Sequence, residues 1–308
     1  MSRVIVIGHR GASGERPEHT LESYRLAIEE GADFVEPDLV MTKDGVLIAR
    51  HEPEIGGTTN VADHPEFASR RRSQVIDGEK MDGWFTEDFT LAEIKTLRAR
   101  ERLPQIRPAN VAYDGKFEVP TFEEILQLVA KENRDRGRSV GVYPETKHPE
   151  HFRRLGLPQE ALLLQVLERH GCSEPGSRVF IQSFDPANLR MLRAMTRLPL
   201  VQLLENELGD VAEIAGYADA IGINKPLATA EGVHAAHAAR LKVHVWTFRA
   251  ENKFLPEDLR VGAAVSAHGR LPDEINRYLA LGIEGFFTDF PAIGVATRDA
   301  WAQKNIDM

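Results

Sequence analysis

Two histidines, three carboxylates and two cationic side chains fall at the ends of short apolar runs, where folding would bring them together. The run Val4-Ile5-Val6-Ile7 stops on Gly8-His9-Arg10-Gly11. In an extended chain alternate side chains share a face, so Ile5, Ile7 and His9 line one side of a strand whose apolar face ends on an imidazole. A second run places Phe34, Glu36 and Asp38 on one face, with two carboxylates side by side. Such a pair is costly unless a cation or a shared proton relieves it. A third run, GVYPETK at 141–147, aligns Glu145 with Lys147, and LIARH at 47–51 turns Leu47, Ala49 and His51 to one side. Three carboxylates and no cysteine suit a hard divalent ion, Ca2+ or Mg2+. With imidazoles to move protons and Arg10 and Lys147 to offset negative charge, the set is suited to phosphoryl transfer.

Each member also has an ordinary reading. A histidine at a strand end is commonly a hydrogen-bonded structural residue, and Glu145 with Lys147 fits a surface ion pair. Glu36 and Asp38 could face solvent, the more so because Pro37 between them weakens the ladder.

The elements that must position these groups follow from the alternation of short apolar runs with helix-like segments. Strands are expected at about 3–8, 33–39, 140–146, 178–184, 199–203, 219–223, 242–247 and 284–288, eight in all. Eight parallel strands with crossover helices close a (β/α)8 barrel, and the strand ends named above would then meet at its carboxyl mouth. An open doubly wound sheet is the alternative. The first helix is marked by Thr20 as N-cap, by Leu21, Tyr24 and Ile28 on one face widened by Leu26 and Ala27, and by Gly31 as its stop. Arg25 is expected to reach toward water. His19 reads as part of the loop and helix entry.

From His51 to a helix at about 121–133 runs a stretch of about 65 residues, far longer than an ordinary βα loop. Residues 53–117 read as an insertion after strand two that folds as a cap on one barrel end, within a single catalytic domain spanning 1–308. It contains VADHPEFASRRRSQVIDG and the helix-like FTLAEIKTLRAR; Arg70, Arg71 and Arg72 read as a solvated face.

With 308 residues and 42% hydrophobic content the chain can bury a large core, and its formal charge of −9 argues against a nucleic-acid partner. The lone Cys172 excludes an intramolecular disulfide and is expected in the core. No apolar stretch is long enough to span a membrane, and the first strand leaves no room for a leader, so a cytoplasmic protein is expected, or a periplasmic one if the chain is a processed form. His148 with His151, and His234 with His237, have a spacing that metals use, but no further ligand completes either set. Oligomeric state is not legible.

HRG at 9–11, PEHT at 17–20, E-x-D at 36–38, LVMTKDG at 39–45, His51, YPETK at 143–147, QSF at 182–184, Trp246-Thr247 and FTDFP at 287–291 together resemble the glycerophosphodiester phosphodiesterase family over nearly the whole chain. PEHT, DFTLAEIKTL and the long insertion look most like its bacterial periplasmic members. The resemblance implies a metal-dependent TIM-barrel enzyme that hydrolyses small diesters such as glycerophosphocholine or glycerophosphoethanolamine to an alcohol and sn-glycerol 3-phosphate. It implies His9 and His51 as acid and base, Arg10 on phosphate, Glu36, Asp38 and Glu145 on the metal, and Lys147 stabilising charge. Phe184 and Trp246 would wall the glycerol or leaving group, or serve as barrel packing. A cyclic phosphate intermediate is expected, with direct attack by water as the competing route. Phospholipase D-like action on lysolipids and a non-catalytic phosphodiester-binding barrel are the alternatives. The sequence departs from the family at Glu52, where the family usually has Asp after the histidine, and in lacking the leader of the periplasmic members.

Overall fold

A computed structural model describes residues 3–174 and 176–306. Strand β1 (Ile5–His9) leads to helix α1 (Leu21–Glu29). Strands β2 (Phe34–Glu36) and β3 (Asp38–Met41) flank Pro37, and β4 (Leu47–Ala49) turns back antiparallel on β3. The hairpin β5 (Arg72–Ile76) and β6 (Glu79–Gly83) and the short helix α2 (Leu91–Ile94) precede α3 (Phe122–Arg136). Strands β7 (Gly141–Val142) and β8 (Glu145–Thr146) are followed by α4 (Pro149–Arg154) and α5 (Glu160–Arg169). The chain then alternates through β9 (Ile181–Ser183), α6 (Pro186–Met195), β10 (Leu200–Leu204), α7 (Val211–Ile214) and β11 (Ala220–Asn224). It ends with α8 (Ala230–Ala238), β12 (Lys242–Phe248), α9 (Leu271–Leu279), β13 (Gly285–Thr288) and α10 (Pro291–Ile306).

The expected (β/α)8 barrel is the observed fold, and all eight strands lie where the apolar runs place them. Two of them are interrupted by proline, which cannot donate to a ladder. Pairing nevertheless continues across both breaks, because the carbonyls still accept: Tyr143 N donates to Val35 O, Glu145 N to Pro37 O and Lys147 N to Leu39 O. On the other edge Gln182 N donates to Pro144 O, and β13 pairs with β1 in parallel, which closes the ring.

Alternation sorts the side chains into two cores. Ile7, Phe34, Tyr143, Val201, Ala220 and Phe287 fill the barrel interior, while their neighbours such as Val6, Val35 and Phe286 pack outward with the helices. The interior fill stops one residue pair short of the strand ends, and there the side chains turn polar.

The helix signals behave as expected at α1, where the Thr20 side chain accepts from Ser23 N and Gly31 follows with φ +98°. Thr121 and Glu124 make a reciprocal capping box at the start of α3, and Gly137 ends that helix in the left-handed region. The segment FTLAEIKTLRAR is helical only at 91–94. Beyond it the backbone pairs elsewhere: Asn60 N donates to Arg98 O and Arg100 N to Thr58 O, so the chain is drawn into an extended exit. The three arginines do not form a freely solvated face, since Arg70 pairs with Glu93, Arg71 with Asp82 and Arg72 with Asp88 and Glu87. Cys172 is half-buried, with its thiol donating to His170 O at 3.5 Å, and does not sit in the core. No helix among the described residues is long and apolar enough to cross a membrane.

Candidate active site

All nine residues singled out from the sequence line one cleft of about 310 Å3: His9, Arg10, Glu36, Asp38, His51, Glu145, Lys147, Phe184 and Trp246. The cleft opens where the barrel interior ends, with Phe287 as its floor.

The loop after β1 is shaped by two successive left-handed residues, Arg10 (φ +59°) and Gly11 (φ +89°). That turn points the Arg10 backbone N–H at Glu36, whose Oε2 accepts at 3.0 Å. Left-handed backbone at a side chain other than glycine is strained, and strain of this kind collects at functional sites. Only glycine fits at position 11, because a Cβ there would lie 2.4 Å from Ser23 Oγ.

Glu36, Asp38 and Glu145 are buried and each offers an oxygen within 4.8 Å of the others. Burial, then the Asp38 and Glu145 charges, raise Glu36 well above the usual carboxylate range. Burial and Asp38 push Glu145 up to about 8, although the Lys147 ammonium opposes this. Asp38 stays ionised: burial would raise its pKa, but His19 and Lys147 hold it low. Its Oδ1 is buried without a hydrogen-bond partner in the structure. An orphaned carboxylate oxygen facing two carboxyls that resist ionisation is the donor set a hard divalent cation fits.

His9 and His51 flank this cluster in the same way. His9 Nδ1 donates to Asp289 Oδ1 at 2.6 Å, and His51 Nδ1 donates to Glu52 Oε1 at 2.5 Å. Each imidazole thereby keeps Nε2 for the cleft side, where His9 Nε2 lies 3.9 Å from Glu36 and His51 Nε2 accepts from Lys147 Nζ at 3.3 Å. Burial lowers His9 to about 4, against the pull of Asp289, and burial together with Arg10 and Lys147 lowers His51 to about 3. Both rings are neutral at pH 7. Lys147 also pairs with Glu145 Oε1 at 2.9 Å, and the Arg10 guanidinium is held by Glu18 Oε2 at 3.1 Å with its Nε 3.5 Å from Asp38. The departure at Glu52 leaves a carboxylate on the ring nitrogen.

Phe184 stands 42% exposed at the rim, edge-on to Trp246 at 5.8 Å between centroids, and Lys147 lies over its ring. It is a wall of the cleft and not barrel packing.

Several members escaped the sequence reading. Asp289 lies inside the quoted FTDFP but carries no local mark of its partnership with His9, 280 positions away. Gln182, inside QSF, donates to Glu36 Oε1 at 2.7 Å. His19 does more than shape the loop: its Nε2 donates to Asp38 Oδ2 at 2.9 Å and its Nδ1 accepts from Tyr24 OH at 2.7 Å. Lys225 and Arg249 add cationic wall. His148 and His151 face Asp77 and Glu87 and join no ligand set.

A barrel whose mouth gathers a cation-type acid cluster and a pair of backed imidazoles defines a hydrolase-like site, and similarity to known proteins names the group. Residues 9–293 match the model of the glycerophosphoryl diester phosphodiesterase family, and the chain belongs to that enzyme family. A glycerophosphodiester phosphodiesterase of Arabidopsis thaliana is 36% identical over 94% of this chain and 84% of its own. One of Haemophilus influenzae is 30% identical over 94% and 88%. Among solved structures, an Oleispira antarctica phosphodiesterase in complex with the product sn-glycerol-3-phosphate superposes with a TM-score of 0.70, covering 96% of this chain and 97% of that one at 20% identity.

Proposed function

We propose that the protein hydrolyses glycerophosphodiesters, such as glycerophosphocholine and glycerophosphoethanolamine, to an alcohol and sn-glycerol 3-phosphate in a divalent-cation-dependent reaction. The observation that carries this reading is the pairing of two carboxylate-backed imidazoles with a buried three-carboxylate cluster across one small cleft. The product named in the Oleispira complex supports the substrate class.

Glu36, Asp38 and Glu145 would hold Ca2+ or Mg2+, which when bound offsets phosphate charge and polarises the phosphorus. Arg10 and Lys147 bind the non-bridging oxygens, and Phe184 with Trp246 walls the glycerol or its leaving group. The diester anion brings negative charge beside the imidazoles and favours protonation of one of them. The neutral ring takes the proton of the glycerol 2-hydroxyl through Nε2 as that oxygen attacks phosphorus. The protonated ring gives its proton to the departing alcohol, leaving a 1,2-cyclic phosphate. Water then opens the cycle with the two rings in exchanged roles. Holding the nucleophile on the substrate supplies the orientation advantage of an intramolecular reaction, so no side-chain nucleophile is needed.

The test is release of glycerol 3-phosphate from a panel of diesters, with and without chelation. Activity should vanish on chelation and return with Ca2+ or Mg2+; full turnover in protein shown to be cation-free would remove the metal from the reading. Attack on lysophosphatidylcholine in preference to every deacylated diester would replace the substrate class. A 2-deoxy analogue should bind and turn over at least about 100-fold more slowly; equal kcat would leave direct attack by water as the route.

A further inference from the structure

Two arginines of the segment between β6 and α3, five residues apart, reach the carboxylates that back the imidazoles. Arg102 grips Glu52 with a fork: Nη1 donates to Oε1 at 2.9 Å and Nη2 to Oε2 at 2.6 Å. Its Nε and Nη2 also donate to the two oxygens of Glu18, at 2.8 and 2.6 Å, and Glu18 in turn holds Arg10. Arg107 stands behind the other imidazole without a fork, donating from Nη2 to one oxygen of Asp289, Oδ2, at 2.5 Å and from Nε to Glu251 Oε1 at 2.6 Å. Its Nη1 donates to Ser13 O at 2.8 Å, and Ser13 Oγ donates to His9 O at 2.8 Å. The stretch that carries both arginines is fixed by its own bonds: Leu103 N donates to Glu101 Oε1, Arg107 N to Leu103 O and Asn110 N to Arg107 O.

A carboxylate whose oxygens are both engaged cannot rotate, and a planar guanidinium is the group that can engage them together. Glu52 Oε1 serves His51 while Arg102 holds both oxygens; Asp289 Oδ1 serves His9 while Oδ2 is held by Arg107 and by Arg249 Nε at 2.9 Å. The aim of each imidazole is therefore set one residue further out.

We propose that Arg102 and Arg107 are positioning residues, through which the single stretch 101–110 sets the direction of both histidines by way of Glu52 and Asp289. The proposal rests on the reading of His9 and His51 as the proton-transfer pair. Neither arginine touches the cation cluster, so cation affinity should not move; Arg107 acts through Asp289 and its effect belongs in kcat, whereas Arg102 also holds Glu18 and through it Arg10, so its loss moves KM as well.

In Arg102→Ala and Arg107→Ala, kcat should fall on the order of 10- to 100-fold, since small misplacement of a reacting group costs that much. Cation affinity by direct titration should stay within about threefold in both, and KM within about threefold in Arg107→Ala. Arg107→Ala combined with Asp289→Asn should be no slower than the slower single variant, because one path is broken twice; the crossed pair Arg107→Ala with Glu52→Gln should multiply. If the alanine variants fold poorly, Arg102→Lys and Arg107→Lys keep charge without the planar group that serves two carboxylates at once, and should lose about 10-fold in kcat. Folded variants with wild-type kcat, multiplying losses in Arg107→Ala with Asp289→Asn, or cation affinity falling in step with kcat would each overturn the proposal. Failure of the underlying reading shows separately, as turnover in His9→Ala or His51→Ala.

Discussion

His9 and His51 reach one arrangement by different routes. His9 takes its carboxylate from the last strand of the barrel, His51 from its own neighbour in sequence. As general acid and base each should contribute about 10^2- to 10^4-fold, so His9→Ala and His51→Ala should each be nearly inactive with unchanged circular dichroism. A folded His9→Ala enzyme at close to the wild-type rate would make that ring a structural residue. Side chains that alternate along a strand into one mouth were legible from the sequence, because period two and the strand end fix where they point. His19, Asp289 and Gln182 were not, since their meaning lies in a partner that no local pattern announces. Their effects should be graded: His19→Phe, which leaves Asp38 without its donor, should weaken cation binding several-fold while leaving the histidine pair in place.

At the scale of elements, the eight strands could be read because buried parallel strands are largely apolar runs, with polar residues gathered toward their carboxyl ends. The joint between β1 and α1 is the most constrained turn among those at the site. Gly11→Ala would place a methyl against Ser23 in a left-handed backbone, and a loss of at least about 2 kcal/mol of stability is expected in denaturant melts. An unchanged midpoint would mean that the turn relaxes freely. What the sequence could not disclose is the work of the segment 53–117. In LRARERLPQIRP the arginines look like surface charge, yet Arg102 meets Glu18 across 84 positions and Arg107 meets Asp289 across 182. The helix expected over FTLAEIKTLRAR stops after one turn for a related reason, since the backbone beyond it pairs with residues 58 and 60.

For the molecule as a whole, a cation held by the acid cluster as proposed would couple its binding to proton release and to stability. Glu145 is raised by burial and Asp38 to about 8, so its contribution to stability is present at low pH and is lost as pH rises through that value. Asp38 stays charged throughout the window and adds no slope there. Between pH 7 and 9, above the ordinary range of histidine, cation-free protein should therefore lose melting temperature, while saturating Ca2+ or Mg2+ should restore it. The gain on adding cation should be larger at pH 9 than at pH 7 by scanning calorimetry. Equal gains at both would show that no proton is displaced and that the carboxylates are ionised before the cation arrives.

The contact between His9 and Asp289 lies across the seam where the last strand, β13, pairs with the first. In the order of synthesis His9 is made 280 residues before the carboxylate that aims it. Until Thr288 and Asp289 are in place, the nascent protein can hold its complete acid cluster and both rings and still have an unaimed His9. The proposed pair of backed imidazoles is therefore complete only once the last strand has closed on the first.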